Sequence, residues 1–120
     1  MTTINNITII EQSILNKLIE LINNDIYVTY YSDLAKSINN KEVTSHTIGV
    51  HLNRISRSCN ELGLPLISAM VINKERHRPG AGFYALYKEV YSSSETSKDH
   101  IFIEEISKIK KTKCWSKFTN

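Results

Sequence analysis

Apolar and polar positions along this chain of 120 residues first predict a helix close to the N-terminus. Thr8 and Glu11 have the spacing of a capping box, and apolar residues then recur at helical intervals, which predicts a helix near residues 9–23. The β-branched and aromatic segment 26–30 predicts a short strand or an extended entry to the next element.

Two further helices are predicted in the middle of the chain. The first is short, is capped by Ser32 and places Leu34, Ala35 and Ile38 on its inner side. The second is the clearest element of the sequence and covers residues 45–62. Thr44 or Ser45 is its predicted cap, Gly63 is its predicted left-handed end, and its inward stripe is Ile48, Leu52, Ile55, Cys59 and Leu62.

The second half of the chain is predicted to alternate between buried and basic segments. Residues 66–72 form an apolar run typical of a strand, and residues 73–82 form a polar basic loop with two glycines. Residues 83–91 fit either a short strand or a helix. A last helix opens at Thr96 and Asp99, and its predicted inner residues are Phe102, Ile103, Ile106 and Ile109.

Charge is unevenly distributed, although the formal net charge is only +3. Residues 1–43 carry a net charge of −2, residues 44–83 carry +3 and residues 84–120 carry +2. Beyond Ile106 there are five Lys and no acid. This polarity is expected if one face meets a polyanion, and a solvated surface remains the open alternative.

Composition limits the chemistry that the chain is expected to perform. Cys59 and Cys114 stand far apart, so neither a disulfide framework nor zinc-ligand spacing is predicted. No phosphate-binding glycine loop, zinc-binding histidine motif or nucleophile elbow occurs. We therefore expect a non-enzymatic, cytoplasmic binding protein without cofactor, metal or membrane span.

The order of the predicted elements resembles the winged helix-turn-helix group of nucleic-acid-binding domains. The resemblance is carried by Tyr31-Ser32-Asp33-Leu34-Ala35-Lys36, by the helix over 45–62 and by the segment 66–82. The stretch from Gly63 to Lys74, ending in Pro79-Gly80-Ala81-Gly82-Phe83, also resembles small bacterial and phage proteins found near restriction and defence genes.

This resemblance implies an α+β fold of the winged helix-turn-helix type, with three helices, a small sheet with a wing, and an extra C-terminal helix. The implied organisation is a winged-helix-like domain over 1–91, a linker over 92–96, and a C-terminal helix with a basic tail over 97–120. The helix over 45–62 would be the recognition helix and the loop over 73–82 the wing.

A nucleic-acid-binding surface follows from the resemblance and from the helical spacing of the polar residues. Arg and Asn can pair with base edges, an apolar side chain can meet a thymine methyl group, and residues at a helix start can contact phosphate. The predicted contact residues are His46, Thr47, Val50, Asn53, Arg54, Arg57, Lys74, Arg76, His77, Arg78, Lys110, Lys111 and Lys113.

Three functions stay open at this point. The first is a duplex-DNA-binding regulator of transcription, acting as a monomer or as a homodimer. The second is a phage or mobile-element protein that inhibits a host defence nuclease, such as an RNA-guided nuclease, by binding the protein, as anti-CRISPR proteins do. The third is a small nuclease in which His77 and Glu75 act as acid and base.

Overall fold

The computed structural model describes residue 4 and residues 6–119 of the chain. It contains five α-helices, two short strands and two 3₁₀ helices within these residues. The helices are α1 (Ile9–Asn23), α2 (Tyr31–Ile38), α3 (Ile48–Glu61), α4 (Ala81–Tyr91) and α5 (Lys98–Lys111). The strands are β1 (Thr29–Tyr30) and β2 (Val71–Ile72), and the 3₁₀ helices are Ile67–Met70 and Trp115–Phe118.

The winged helix-turn-helix prediction is wrong. A winged helix needs an antiparallel β-wing, whereas β1 and β2 pair in parallel, with Thr29 opposite Val71 and Tyr30 opposite Ile72. In the described part of the chain no strand follows the 73–80 loop, because α4 begins at Ala81. The fold is therefore mostly helical, with a minimal parallel sheet.

The segment that was predicted as a strand over 66–72 is mostly a buried 3₁₀ helix. Two of its backbone donors are satisfied by side chains: Leu66 N–H donates to Glu105 on α5, and Ser68 N–H donates to Ser56 on α3. Since these partners replace a neighbouring strand, the backbone can leave the extended conformation without leaving polar groups unpaired. The first 3₁₀ helix thus packs between α3 and α5.

Helix α1 forms as its sequence predicts. The Thr8 hydroxyl accepts from Glu11 N–H at 3.1 Å, and the Glu11 carboxylate accepts from Thr8 N–H at 3.0 Å, which completes the capping box. Its buried apolar residues are Ile14, Leu15, Leu18, Ile19 and Ile22.

Helix α3 ends as predicted but begins later. Gly63 has φ +75°, its N–H donates to Asn60, and Leu64 N–H donates to Cys59, which together form a Schellman motif. Helix α3 begins at Ile48 rather than at residue 45, because residues 44–47 form a separate turn. Leu62 is exposed, so it does not belong to the predicted inward stripe.

The two C-terminal helices clarify the remaining predictions. Residues 81–91 are helical, and α4 buries Phe83, Tyr84, Leu86 and Tyr87. In α5 the cap is Ser97 instead of Thr96, and the buried residues are Ile101, Glu105 and Ile109. The predicted inner stripe is therefore wrong for Ile103, which is 64% exposed, while Phe102 and Ile106 are half-buried.

One hydrophobic core connects the described elements. It includes residues of α1 to α4 and of the first 3₁₀ helix, and also Ile101 and Ile109 of α5 and Trp115 and Phe118 of the second 3₁₀ helix. Trp115 Nε1 donates to the carbonyl of Ile109 at 3.1 Å, which fixes the chain after α5. Among the described helices, none is long and apolar enough to cross a membrane.

Candidate nucleic-acid interface

The outward side of α3 is open to solvent in the described structure. Val50 is 62% exposed, and the side chains of Arg54 and Arg57 are at least half exposed. The opposite side buries Ile48, Leu52, Ile55 and Cys59 in the core. We call the outward surface the α3 face and define it by His46, Val50, Arg54 and Arg57.

Two predicted contact residues lie before α3 rather than within it. His46 is exposed in the turn over 44–47, and Thr47 is the N-cap residue. The Thr47 hydroxyl accepts from Thr44 N–H at 2.9 Å and donates to the Glu42 carbonyl at 2.9 Å. Thr47 is therefore occupied in shaping the turn, whereas His46 is free to extend the α3 face.

Asn53 turns away from the α3 face toward α4. The amide lies so close to Gly82 that a Cβ atom at that position would be 3.2 Å from Asn53 Nδ2. Asn53 lines a groove of about 430 Å³ together with Tyr31 and Gly80. In this structure Asn53 thus lies at the edge of the predicted surface, half-buried between two helices.

Arg57 is held by an acid on the neighbouring helix. Its guanidinium donates two hydrogen bonds to the Glu89 carboxylate on α4. The hydrogen bond to Glu89 raises the pKa of Arg57, and the same bond lowers the pKa of Glu89. The two side chains form an exposed bidentate pair at the side of the α3 face.

Arg54 lies near a buried carboxylate of α1. Arg54 Nη1 is 3.8 Å from Glu11 Oε2, and His51 Nδ1 is 2.7 Å from the same oxygen. Because Glu11 also closes the capping box with Thr8, this carboxylate joins α1 to α3. Arg54 remains largely in solvent, where its guanidinium can reach a ligand.

The predicted wing is a compact loop instead of a hairpin. Asn73 Oδ1 accepts from the backbone N–H groups of Glu75 and Arg76, and Asn73 N–H donates to the carbonyl of Arg78. His77 has φ +54°. These bonds close the segment on itself, so it presents its side chains from a tight turn.

The basic residues of this loop divide into paired and unpaired groups. Lys74 Nζ lies 3.7 Å from Asp33 Oδ1, and Arg78 Nη2 lies 3.2 Å from Asp99 Oδ1. Arg76 and His77 are exposed, and within the described part of the chain their side chains form no hydrogen bond or ion pair. Glu75 and His77 form no hydrogen bond or ion pair with each other in that part of the chain.

A groove connects the loop to the beginning of α3. Two adjoining hollows share Tyr31, Ser45, His46 and Asn73 in their walls. The Tyr31 hydroxyl accepts from Gly80 N–H at 2.8 Å, which fixes the base of the loop to α2, and burial raises the pKa of Tyr31. The loop and the α3 face therefore belong to one continuous surface.

The C-terminal lysines do not join this surface. Lys110 Nζ lies 5.2 Å from the centroid of the Tyr27 ring, and Lys111 lines a hollow with Asn60 and Gly63 at the far end of α3. Lys113 is exposed in the short connection after α5. Lys111 is thus separated from the beginning of α3 by the length of that helix, which is roughly 20 Å.

Sequence reasoning missed two lysines that border the beginning of α3. Lys36 and Lys41 line a hollow of about 520 Å³ together with Thr44 and Ser45. Both lysines belong to residues 1–43, whose net charge is −2, and for that reason the charge distribution predicts no basic surface there. Their positions on either side of Asn39-Asn40, next to the predicted helix start, are the sequence signal that indicates them.

Neither metal-ligand geometry nor comparison with known proteins assigns a function to this surface. Within residue 4 and residues 6–119, no three His, Cys, Asp or Glu side chains are grouped so that they could hold a metal ion. Comparisons with protein-family models, with curated proteins and with solved structures found no match to this chain.

Proposed function

We propose that this chain binds duplex DNA through the α3 face and the adjoining loop over 73–80. The observation that supports this most directly is the exposure of α3 over its outward side, where the side chains of Val50, Arg54 and Arg57 are at least half exposed. An α-helix fits the major groove, where Arg can donate to guanine and an apolar side chain can contact a thymine methyl group.

The surroundings of the α3 face support contacts to phosphate. Lys36 and Lys41 line a hollow together with Thr44 and Ser45, just before α3, and Lys74 lines a second hollow together with Ser45, His46 and the acid Glu75. The N-terminal end of a helix also favours anions, because its first backbone N–H groups have no partner within the helix. These groups would hold the DNA backbone while α3 faces the bases.

DNA binding requires that phosphate oxygens replace the carboxylates that now pair with two of the basic side chains. Arg57 and Lys74 each contact an acid from another element, namely Glu89 and Asp33. Exposed pairs of this kind contribute little to stability, so phosphate oxygens can replace the carboxylates at low cost. The remaining acids lower the local positive potential, and we therefore expect moderate affinity with a strong dependence on salt.

A fluorescence anisotropy titration with a labelled duplex of mixed sequence tests the proposal. We expect binding at about 50 mM salt that weakens steeply by about 200 mM, because each neutralised phosphate releases counterions. The double variant Arg54→Ala with Arg57→Ala should bind at least about tenfold more weakly, since two contacts are lost.

The matched control is the double variant Lys17→Ala with Lys117→Ala. It removes the same number of positive charges from α1 and from the second 3₁₀ helix, outside the α3 face, and we expect it to retain most of the affinity. Two results would refute the proposal: no anisotropy change at low salt, or an equal loss of affinity in both double variants, which would indicate diffuse charge in place of a surface.

A further inference from the structure

An apolar patch on α5 is open to solvent beside the segment that leads into β1. Ile103 is 64% exposed and Val28 is 40% exposed, while Phe102 and Ile106 are half-buried. Together they line a hollow of about 300 Å³, which Ser107 and Lys110 complete. We call this surface the α5 patch. Ile106 packs against the core with its inner part, whereas Ile103 and Val28 are exposed and do not belong to the core, to which α5 already contributes Ile101 and Ile109.

Charged residues flank the α5 patch in a symmetrical order. At about 100° per residue, Asp99, Phe102, Ile103, Ile106 and Lys110 all fall within one arc of roughly 100° on the helix. Asp99 lies four residues before Ile103, and Lys110 lies four residues after Ile106. Asp99 and Lys110 are therefore equally distant along α5 from the middle of the patch, which lies between Ile103 and Ile106.

We propose that the α5 patch is covered by the α5 patch of a second copy of this chain. If the two helices are antiparallel about a twofold axis through the middle of the patch, Ile103 of each copy faces Ile106 of the other. Asp99 of each copy then faces Lys110 of the other, at both ends of the interface. Such an isologous contact needs a surface that is complementary to itself, and this order of residues meets that condition.

The present contacts of the charged residues allow this arrangement. Asp99 Oδ1 is 3.2 Å from Arg78 Nη2, but the Asp99 side chain remains 71% exposed. Lys110 is also exposed, with its ammonium over the Tyr27 ring. A carboxylate can accept from a second cation, and an ammonium can donate to a second anion, so neither group has to leave its present partner.

The proposal does not depend on DNA binding, and its first test is the mass of the full chain in solution. Sedimentation equilibrium over a wide range of concentrations should give twice the mass of the chain at the upper end. Ile103→Ser should raise the dimer dissociation constant at least about tenfold, because each copy loses an apolar contact. The matched control is Ile9→Ser on α1, which removes an isoleucine that is 89% exposed outside the patch and should leave the constant unchanged.

A charge exchange gives the sharper test. Asp99→Lys and Lys110→Asp should each weaken the dimer, because they place like charges opposite each other. The double variant should restore most of the affinity, since the pairs form again with reversed sign. Effects on the helix itself predict the opposite order: both substitutions oppose the helix dipole, so the double variant would then be the weakest.

Three outcomes would overturn the proposal. The first is a monomer at the highest concentration, which would leave the patch to a different occupant. The second is a dimer that Ile103→Ser leaves intact. The third is a double charge variant that associates no better than the two single variants.

Discussion

Glu105 on α5 accepts a hydrogen bond from the backbone N–H of Leu66 at 2.7 Å, although its carboxylate is completely buried. The same oxygen accepts from the Tyr91 hydroxyl at 2.6 Å, and burial together with this bond raises the pKa of Tyr91. The other oxygen, Oε1, has no hydrogen bond of acceptable geometry in the described structure, but Lys108 Nζ lies 3.4 Å away as an ion-pair partner. One acid thus holds α4, α5 and the first 3₁₀ helix together.

We expect Glu105→Ala to lower the free energy of unfolding by about 3 kcal/mol, because it leaves a buried backbone donor without an acceptor. Glu105→Gln keeps an amide oxygen for Leu66 N–H and should lose less. The control is Glu104→Ala, which removes an exposed neighbour and should change stability by less than about 0.5 kcal/mol. Urea unfolding measures all three variants, and equal losses at both positions would contradict the structural role of Glu105.

Substitution by alanine should change the free energy of unfolding in opposite directions at two glycines, Gly49 and Gly63, that have similar surroundings. Neither Gly49 nor Gly63 has an atom within 4 Å of an added Cβ, so only backbone conformation distinguishes them. Gly63 has φ +75°, and Gly63→Ala should cost about 1–2 kcal/mol. Gly49 lies in the first turn of α3, and Gly49→Ala should stabilise the protein by up to about 1 kcal/mol. Urea unfolding of the two variants checks this, and a change of the same sign in both would contradict it.

Signals that act within a few residues explain why parts of the fold are predictable from sequence. The capping box at Thr8 and Glu11 and the left-handed glycine at position 63 each involve neighbours along the chain. The spacing of apolar residues in α3 also determines which side faces solvent, so the exposure of Val50, Arg54 and Arg57 follows from the sequence.

Contacts between distant residues explain the errors. An apolar run such as 66–72 is equally compatible with a strand and with any other buried segment, and the partner that decides its conformation, Glu105, is 39 residues away from Leu66. The α5 register was misjudged because a buried glutamate occupies a position where periodicity expects an isoleucine. The acid that pairs with Arg57 comes from α4, so the sequence could not show that this cation is partly neutralised.

The two cysteines should differ strongly in reactivity. Cys59 is fully buried, and burial raises the pKa of its thiol to about 12, whereas Cys114 is partly exposed. Since the thiolate is the reactive form, Ellman's reagent at pH 8 should titrate Cys114 in the native chain, and Cys59 only after unfolding. Rapid modification of both thiols in the folded protein would show that α3 does not protect Cys59.

Stability should also decline at alkaline pH for the same reason. The unfolded chain loses the Cys59 proton near the ordinary thiol value of 9.0, while the folded chain retains it up to about 12. The contribution of Cys59 to the free energy of unfolding is therefore fully present below about pH 9 and decreases as the pH rises toward 12. Urea unfolding across this range should show a shallower decline for Cys59→Ala. Some decline should remain, because the pKa values of Tyr31 and Tyr84 are raised as well. A decline that Cys59→Ala leaves unchanged would exclude Cys59 as a contributor.

Glu89 should limit DNA binding by holding Arg57. Glu89→Gln removes the carboxylate that competes with phosphate, and we expect the affinity for the mixed-sequence duplex to increase severalfold. Mild acidification cannot substitute for the variant, because the hydrogen bond from Arg57 lowers the pKa of Glu89 and keeps it charged. Anisotropy titrations at several salt concentrations measure the change.

The control is Glu20→Gln, which makes the same change in net charge at an exposed position on α1. Its effect should be smaller, because Glu20 pairs with Lys17 outside the α3 face. In the Glu89→Gln background, Arg57→Ala should then cancel the gain, since the released guanidinium is the group that reaches the DNA. If Glu89→Gln and Glu20→Gln raise the affinity equally, net charge alone accounts for the result, and Arg57 has no specific part in binding.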